Sequence, residues 1–108
     1  MRNMHLTEGD CKQLVKRTVL VRVLGPLEEA VEGGVLKLQV DGNTSLLELF
    51  NRFPEKLKNT VLVGREIAPD LLVVVDGVEL SCLGPPEEVL IGEAGVKEIV
   101  LVPIIHGG

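Results

Sequence analysis

The chain has 108 residues, a formal net charge of −5 and 45% hydrophobic residues, with only two Phe and no Trp or Tyr. That length supports one domain with one modest core, and a core of Val, Leu and Ile favours strands. The acidic balance speaks against non-specific nucleic-acid binding, which needs a cationic footprint, and no apolar run is long enough to span a membrane.

The charge is unevenly spread. Residues 1–17 hold Arg2, Lys12, Lys16 and Arg17 against Glu8 and Asp10, a balance of +2, whereas the other 91 residues hold 7 basic and 14 acidic side chains, a balance of −7. An acidic body suits docking onto a basic protein surface. Met4, Leu6, Leu14 and Val15 are too sparse to offset the ordering entropy of residues 1–17. That segment reads as a mobile N-terminal extension, mobile above all from Met1 to Asp10, with no secretory h-region. Residues 18–108 form the domain.

Thr18 to Leu24 (TVLVRVL) predicts a strand apolar on both faces, hence central. Gly25-Pro26 signals a turn, Leu27 to Glu32 an acidic loop, and Gly33-Gly34 a chain reversal. Val35 to Val40 alternates, with Leu36, Leu38 and Val40 on one side and Lys37 and Gln39 on the other. It predicts a half-exposed strand in a hairpin with the first. Thr44 or Ser45 caps a helix, and Ser45 with Glu48 fits a capping box. Leu46, Leu49, Phe50 and Phe53 make its apolar stripe, and Pro54 ends it near Phe53. A short helical turn is expected around Glu55–Lys58.

Leu71 to Val75 (LLVVV) predicts a buried strand, Asp76-Gly77 a tight hairpin turn, and Val78-Glu79-Leu80 a short return strand. Residues 81–97 read as an irregular loop. Glu98 to Val102 is the last strand, and Pro103, lacking an N–H, should end the pairing and release a flexible tail, 103–108. One helix cannot cover both faces of such a sheet, so an apolar face should stay open as a docking surface. Leu20 and Leu24 alternate with Val19, Val21 and Val23, and Val100, Val102 and Ile104 alternate with Ile99 and Leu101. Arg22 shares the side of Leu20 and Leu24, and a charge belongs at a solvated face. The expected docking patch is therefore Leu20, Leu24, Val100, Val102 and Ile104.

His5, Cys11, Cys82 and His106 are zinc-ligand types, but their spacing matches no ligand pattern, so no metal site is expected. The two cysteines read as reduced thiols of a soluble intracellular protein. No Ser/His/Asp order or phosphate-binding glycine loop is present.

The order strand, strand, helix, strand, short strand, strand, ending in Gly-Gly, resembles the ubiquitin-like β-grasp fold. More narrowly, it resembles the MoaD/ThiS and ubiquitin-related-modifier group of sulfur carriers. The residues that carry the resemblance are the Thr44-Ser45 helix start with Leu46, Leu49 and Phe50, the LLVVVDGVEL segment from Leu71 to Leu80, and the closing EIVLVPIIHGG from Glu98 to Gly108. The turn at Gly92 to Glu98 and the extension 1–17 depart from the group's pattern. His106-Gly107-Gly108 is closer to the ubiquitin-related modifiers than to MoaD tails.

The resemblance implies an α+β fold, a mixed sheet of four to five strands with one main helix packed on one face. It implies a cytoplasmic carrier rather than an enzyme, with no bound cofactor. A ubiquitin-activating-type partner uses ATP to adenylate the Gly108 carboxylate, and a persulfide sulfur donor displaces AMP to leave a thiocarboxylate. Gly107 and Gly108 must be slim to enter the partner's slot, with His106 as spacer. The acceptor is a molybdopterin or thiazole synthase, a tRNA-thiolation enzyme, or lysines of target proteins. The alternative is a β-grasp interaction module whose Gly-Gly has no sulfur chemistry.

Overall fold

The structure is a computed structural model that describes residues 16–104. Nine elements follow in order: β1 (Arg17–Val23), β2 (Val35–Val40), α1 (Leu46–Asn51), α2 (Glu55–Val61), β3 (Leu62–Val63), β4 (Glu66–Ile67), β5 (Leu71–Val75), β6 (Val78–Glu79) and β7 (Glu98–Pro103). Five strands form a mixed sheet in the order β2-β1-β7-β5-β6, with β3 and β4 as a separate small hairpin. Only the β1–β7 pair is parallel; β1–β2, β5–β7 and β5–β6 are antiparallel. The chain's last strand therefore lies in the middle of the sheet.

Although β1 is apolar at nearly every position, its burial alternates, so only one of its faces is covered. Val19, Val21 and Val23 are buried with Ile99 and Leu101 of β7 and Val73 and Val75 of β5. The helices close this face through Leu46, Leu49, Phe50, Phe53, Leu57 and Val61, all buried. Phe50 and Phe53 stack with ring centroids 4.8 Å apart, which places the only two aromatic side chains together where volume is most needed.

Where one main helix was expected, two short ones share the work. Phe53 precedes a proline and avoids the helical region, so α1 stops at Asn51. Pro54 then serves as the N-cap of α2, a full helix rather than a single turn, with Lys58 N–H bonded to its carbonyl at 2.8 Å. Ser45 caps α1 as expected, its Oγ accepting from Glu48 N–H at 3.1 Å. The Glu48 carboxylate turns instead toward Arg52, 3.5 Å away.

Three further differences have local causes. The stretch Gly25–Ala30 is a 3-10 segment that seats Leu27 in the core. The loop after β6 is anchored: Leu46 N–H bonds to Val89 O at 2.8 Å, Leu47 N–H to Pro86 O at 3.2 Å and Ile91 N–H to Thr44 O at 3.0 Å. It satisfies donors that the first turn of α1 leaves free, and it buries Ile91 and Val96. Pairing also continues to the end of β7: Pro103 pairs with Leu71, and Ile104 N–H bonds to Asp70 O at 2.8 Å. Odd residues of β7 aim their backbone groups at β1, as Leu24 N–H to Leu101 O at 3.1 Å shows. The N–H that Pro103 lacks thus points to the side where β1 has already ended, and β5 loses nothing.

Gly92 holds the anchored loop against the turn before α1. A Cβ there would fall within bonding range of the Asp41 carbonyl oxygen and 2.5 Å from its carbon. Gly92→Ala should therefore lower stability by about 2 kcal/mol through backbone displacement, read as a lower denaturant midpoint; an unchanged midpoint would mean that the loop is not seated there. Asp41 itself organises that turn. Its Oδ1 accepts from Asn43 N–H at 2.9 Å and from the buried Thr44 hydroxyl at 3.1 Å. The Asn43 backbone bond, then the Thr44 hydroxyl, with smaller help from Arg52 and Lys16, lowers the Asp41 pKa below its ordinary 3.8. A depressed carboxylate contributes stability above 3.8 that fades as pH falls through the lower folded value. Asp41→Asn should accordingly be less stable than the parent near neutral pH, with the gap closing on acidification below that value in denaturation curves across pH.

Candidate docking face and tail exit

The sheet face opposite the helices is uncovered by any described element. On it the register aligns Leu20 and Arg22 of β1 with Glu98 and Val100 of β7, and Val100 and Val102 with Val74 and Leu72 of β5. Leu20, Val100 and Val102 are half-buried, while Leu24 and Ile104 are 39% and 45% exposed. All five patch residues expected from the sequence thus share one face, away from the helices. Val35 of β2 and Leu72 and Val74 of β5 extend the patch and were missed. The signal for β5 was present, since LLVVV is apolar at every position and must offer side chains to both faces.

The patch carries one ion pair. Arg22 reaches Glu98 diagonally across β1 and β7, with Nη2 3.0 Å and Nε 3.2 Å from Oε2. Both side chains are substantially exposed, at 51% and 40%, so the pair is screened and contributes little to stability. It lies between Leu20, Leu24 and Val100 and supplies polarity to an otherwise aliphatic surface.

Ile104 is the last described residue. It is held by Asp70 on one side, and the Pro103 ring lies beside Gly25, where a Cβ would meet it at 3.5 Å. The expected reactive residues His106, Gly107 and Gly108 lie outside the described residues, as does the extension up to residue 15. Cys82 is an exposed free thiol, and His5 and Cys11 also lie outside the described residues. Among the described residues no cluster of three His, Cys, Asp or Glu side chains could hold a metal, and no helix is long and apolar enough to cross a membrane.

Solved structures with this arrangement decide the fold. The small archaeal modifier protein SAMP1 of Haloferax volcanii superposes with a TM-score of 0.68 at 19% identity, over 85% of this chain and 100% of that one. SAMP1 of Methanosarcina acetivorans gives 0.62 at 21% identity, over 87% and 99%. Urm1 of Trypanosoma brucei gives 0.60 at 22% identity, over 86% and 97%. The fold is the ubiquitin-like β-grasp. No protein-family model matches the chain, and no curated protein sequence does. Superposition at identities this low establishes the architecture alone.

The open face should tolerate changes that the helix-side face does not. Arg22→Ala should move the melting temperature by no more than the equivalent of about 1 kcal/mol, whereas Val21→Ala on the buried side should cost about 2 kcal/mol. Equal losses in thermal denaturation would contradict the assignment of faces.

Proposed function

We propose that this protein is a ubiquitin-like sulfur carrier and modifier whose Gly108 carboxylate is activated by a partner enzyme in the cytoplasm. A carboxylate is a poor electrophile. Adenylation by a ubiquitin-activating-type enzyme, with ATP, gives Gly108 an AMP leaving group. The outer sulfur of a persulfide donor attacks the same carbon and expels AMP, leaving an acyl disulfide. A second thiol attacks the donor's sulfur, forming a disulfide with it and releasing the thiocarboxylate, which delivers its sulfur to a molybdopterin or thiazole synthase or to a tRNA-thiolation enzyme. The same activated carboxylate can be passed to lysines of target proteins. The carrier supplies no catalytic acid or base in this scheme; its contribution is presentation.

The observation that carries this reading is the placement of Ile104 at the end of the central strand. β7 is the central strand, and Ile104 is still bonded to Asp70 where the sheet ends. Ile104, four positions before Gly108 in the sequence, is thereby fixed beside the patch of Leu20, Leu24, Leu72, Val100 and Val102. A partner that docks on this patch meets the tail at a fixed position, so little orientational freedom is lost on docking. The modifier proteins that share the fold support the general class.

Intact-mass analysis of the full chain incubated with an adenylating enzyme, ATP, a persulfide donor and a thiol reductant tests the proposal. The expected product has one terminal oxygen replaced by sulfur; unchanged mass would leave a plain interaction module. Gly107→Trp should abolish AMP transfer at an unaltered melting temperature. Leu24→Glu should weaken binding of the activating enzyme about tenfold while leaving stability nearly intact. Normal adenylation of the Trp variant would sink the carrier mechanism.

A further inference from the structure

A groove of about 450 Å³ opens beside the sheet, walled by Leu47, Ile67, Ala68, Leu72, Val73 and Leu80. Its sheet-side wall is the outer edge of β5. β6 pairs with β5 only at Val74 and Val75. After Glu79 the chain turns into the 3-10 segment Leu80–Cys82, which leaves Leu71–Val73 with no strand on that side.

The backbone groups available there follow from the ladder. Alternate residues of an antiparallel strand address opposite neighbours. Asp70 accepts from Ile104 N–H and Asp76 N–H donates to Glu98 O, both at 2.8 Å, so even-numbered residues of β5 address β7. Leu71 and Val73 therefore address the groove. Leu71 N–H is taken by Ala68 O at 3.1 Å. The Leu71 carbonyl and the Val73 N–H face the groove, a template for one more strand, while the Val73 carbonyl serves the β6 ladder. The opposite edge of the sheet is blunted instead: Arg52 Nη1 donates to the outward Gln39 carbonyl of β2 at 3.1 Å.

The rim of the groove bears Glu66, Glu79 and Glu87 against the single cation Arg65. Among the described residues none of these carboxylates is in an ion pair, and Glu79 accepts from the Ser81 hydroxyl at 2.8 Å. We propose that the groove binds an extended, basic segment of a partner protein, added to the sheet as a strand along Leu71–Val73. Its backbone pairs with Val73, its apolar side chains at alternate positions enter the groove, and Lys or Arg between them meets the acidic rim.

Charge selects this occupant. The chain's own last residues, 105–108, carry no basic side chain apart from His106 and end in a carboxylate. Residues 1–15 hold two basic and two acidic side chains and so offer no net charge to match the rim. A second copy brings its own net charge of −5. The proposal is independent of any chemistry at Gly108.

The test is an NMR titration of the labelled full chain with a blocked heptapeptide of alternating Lys and Val, beside its counterpart with Glu for Lys. The Lys peptide should shift the Val73 and Leu80 amides, slow hydrogen exchange at Val73, and bind more weakly as salt is added. The Glu peptide should not bind. A Glu79→Lys, Glu87→Lys double variant, changed at two exposed positions, should bind about tenfold more weakly. No shift at Val73 with peptide at about 1 mM would overturn the proposal. So would shifts confined to β2 or to the Leu20–Val100 face, equal binding by the double variant, or groove signals lost through self-association without peptide.

Discussion

One side chain ties the turn between β5 and β6 to the start of the central strand. Asp76 adopts a positive φ of 47°, followed by Gly77 at 84°, a pair suited to a two-residue hairpin. Its N–H donates to Glu98 O at 2.8 Å, and its carboxylate accepts from Lys97 N–H at 3.0 Å and Glu98 N–H at 2.9 Å. The turn thus sets where β7 begins relative to β5. Since β7 also pairs with β1, the same contact aligns three strands. A slip of one residue would send Ile99 and Leu101 outward and Glu98 and Val100 into the core. The composition of the open face and the position of Ile104 both depend on that register.

The core shows how a chain poor in aromatics manages. Most of its volume is Val, Leu and Ile set on strands by alternation, and the two Phe residues sit side by side where the helices meet the sheet. Splitting the helical layer at Pro54 lets two short segments follow the twist of the sheet, with Phe53 between them as a buried hinge. The loop from Pro86 to Val96 completes the layer. It bonds the first turn of α1 and depends on the absence of a Cβ at Gly92.

Two surfaces remain outside this core, and they meet at Leu72. The aliphatic sheet face includes Ile104, and the acidic groove lies on the outer edge of β5. They differ in physical character: one offers side chains alone, the other a backbone edge with carboxylates around it. Surfaces of such different character can be occupied independently.

Much of this was legible in the chain. The limits of β2 and β5, the Asp76-Gly77 turn, the Ser45 cap and the apolar stripe through Phe53 are local chemistry, decided by side-chain alternation, capping oxygens and residues that tolerate positive φ. Even the direction of the Leu20–Leu24 face could be argued from Arg22, because a charge is costly to bury. The extension of the turn at Glu55–Lys58 into a helix reaching Val61, the β3–β4 hairpin and the buried Ile91 and Val96 could not, because short elements without strong periodicity form only when something is present to pack against. The continuation of β7 past Pro103 was equally hidden: whether a missing N–H matters depends on which neighbour it would have addressed. The groove on β5 belongs to the same kind, since an edge is open or closed only by virtue of where β6 turns away. Local side-chain pattern determined the strands and their inward faces; tertiary packing alone decided which edges and loops were left for partners.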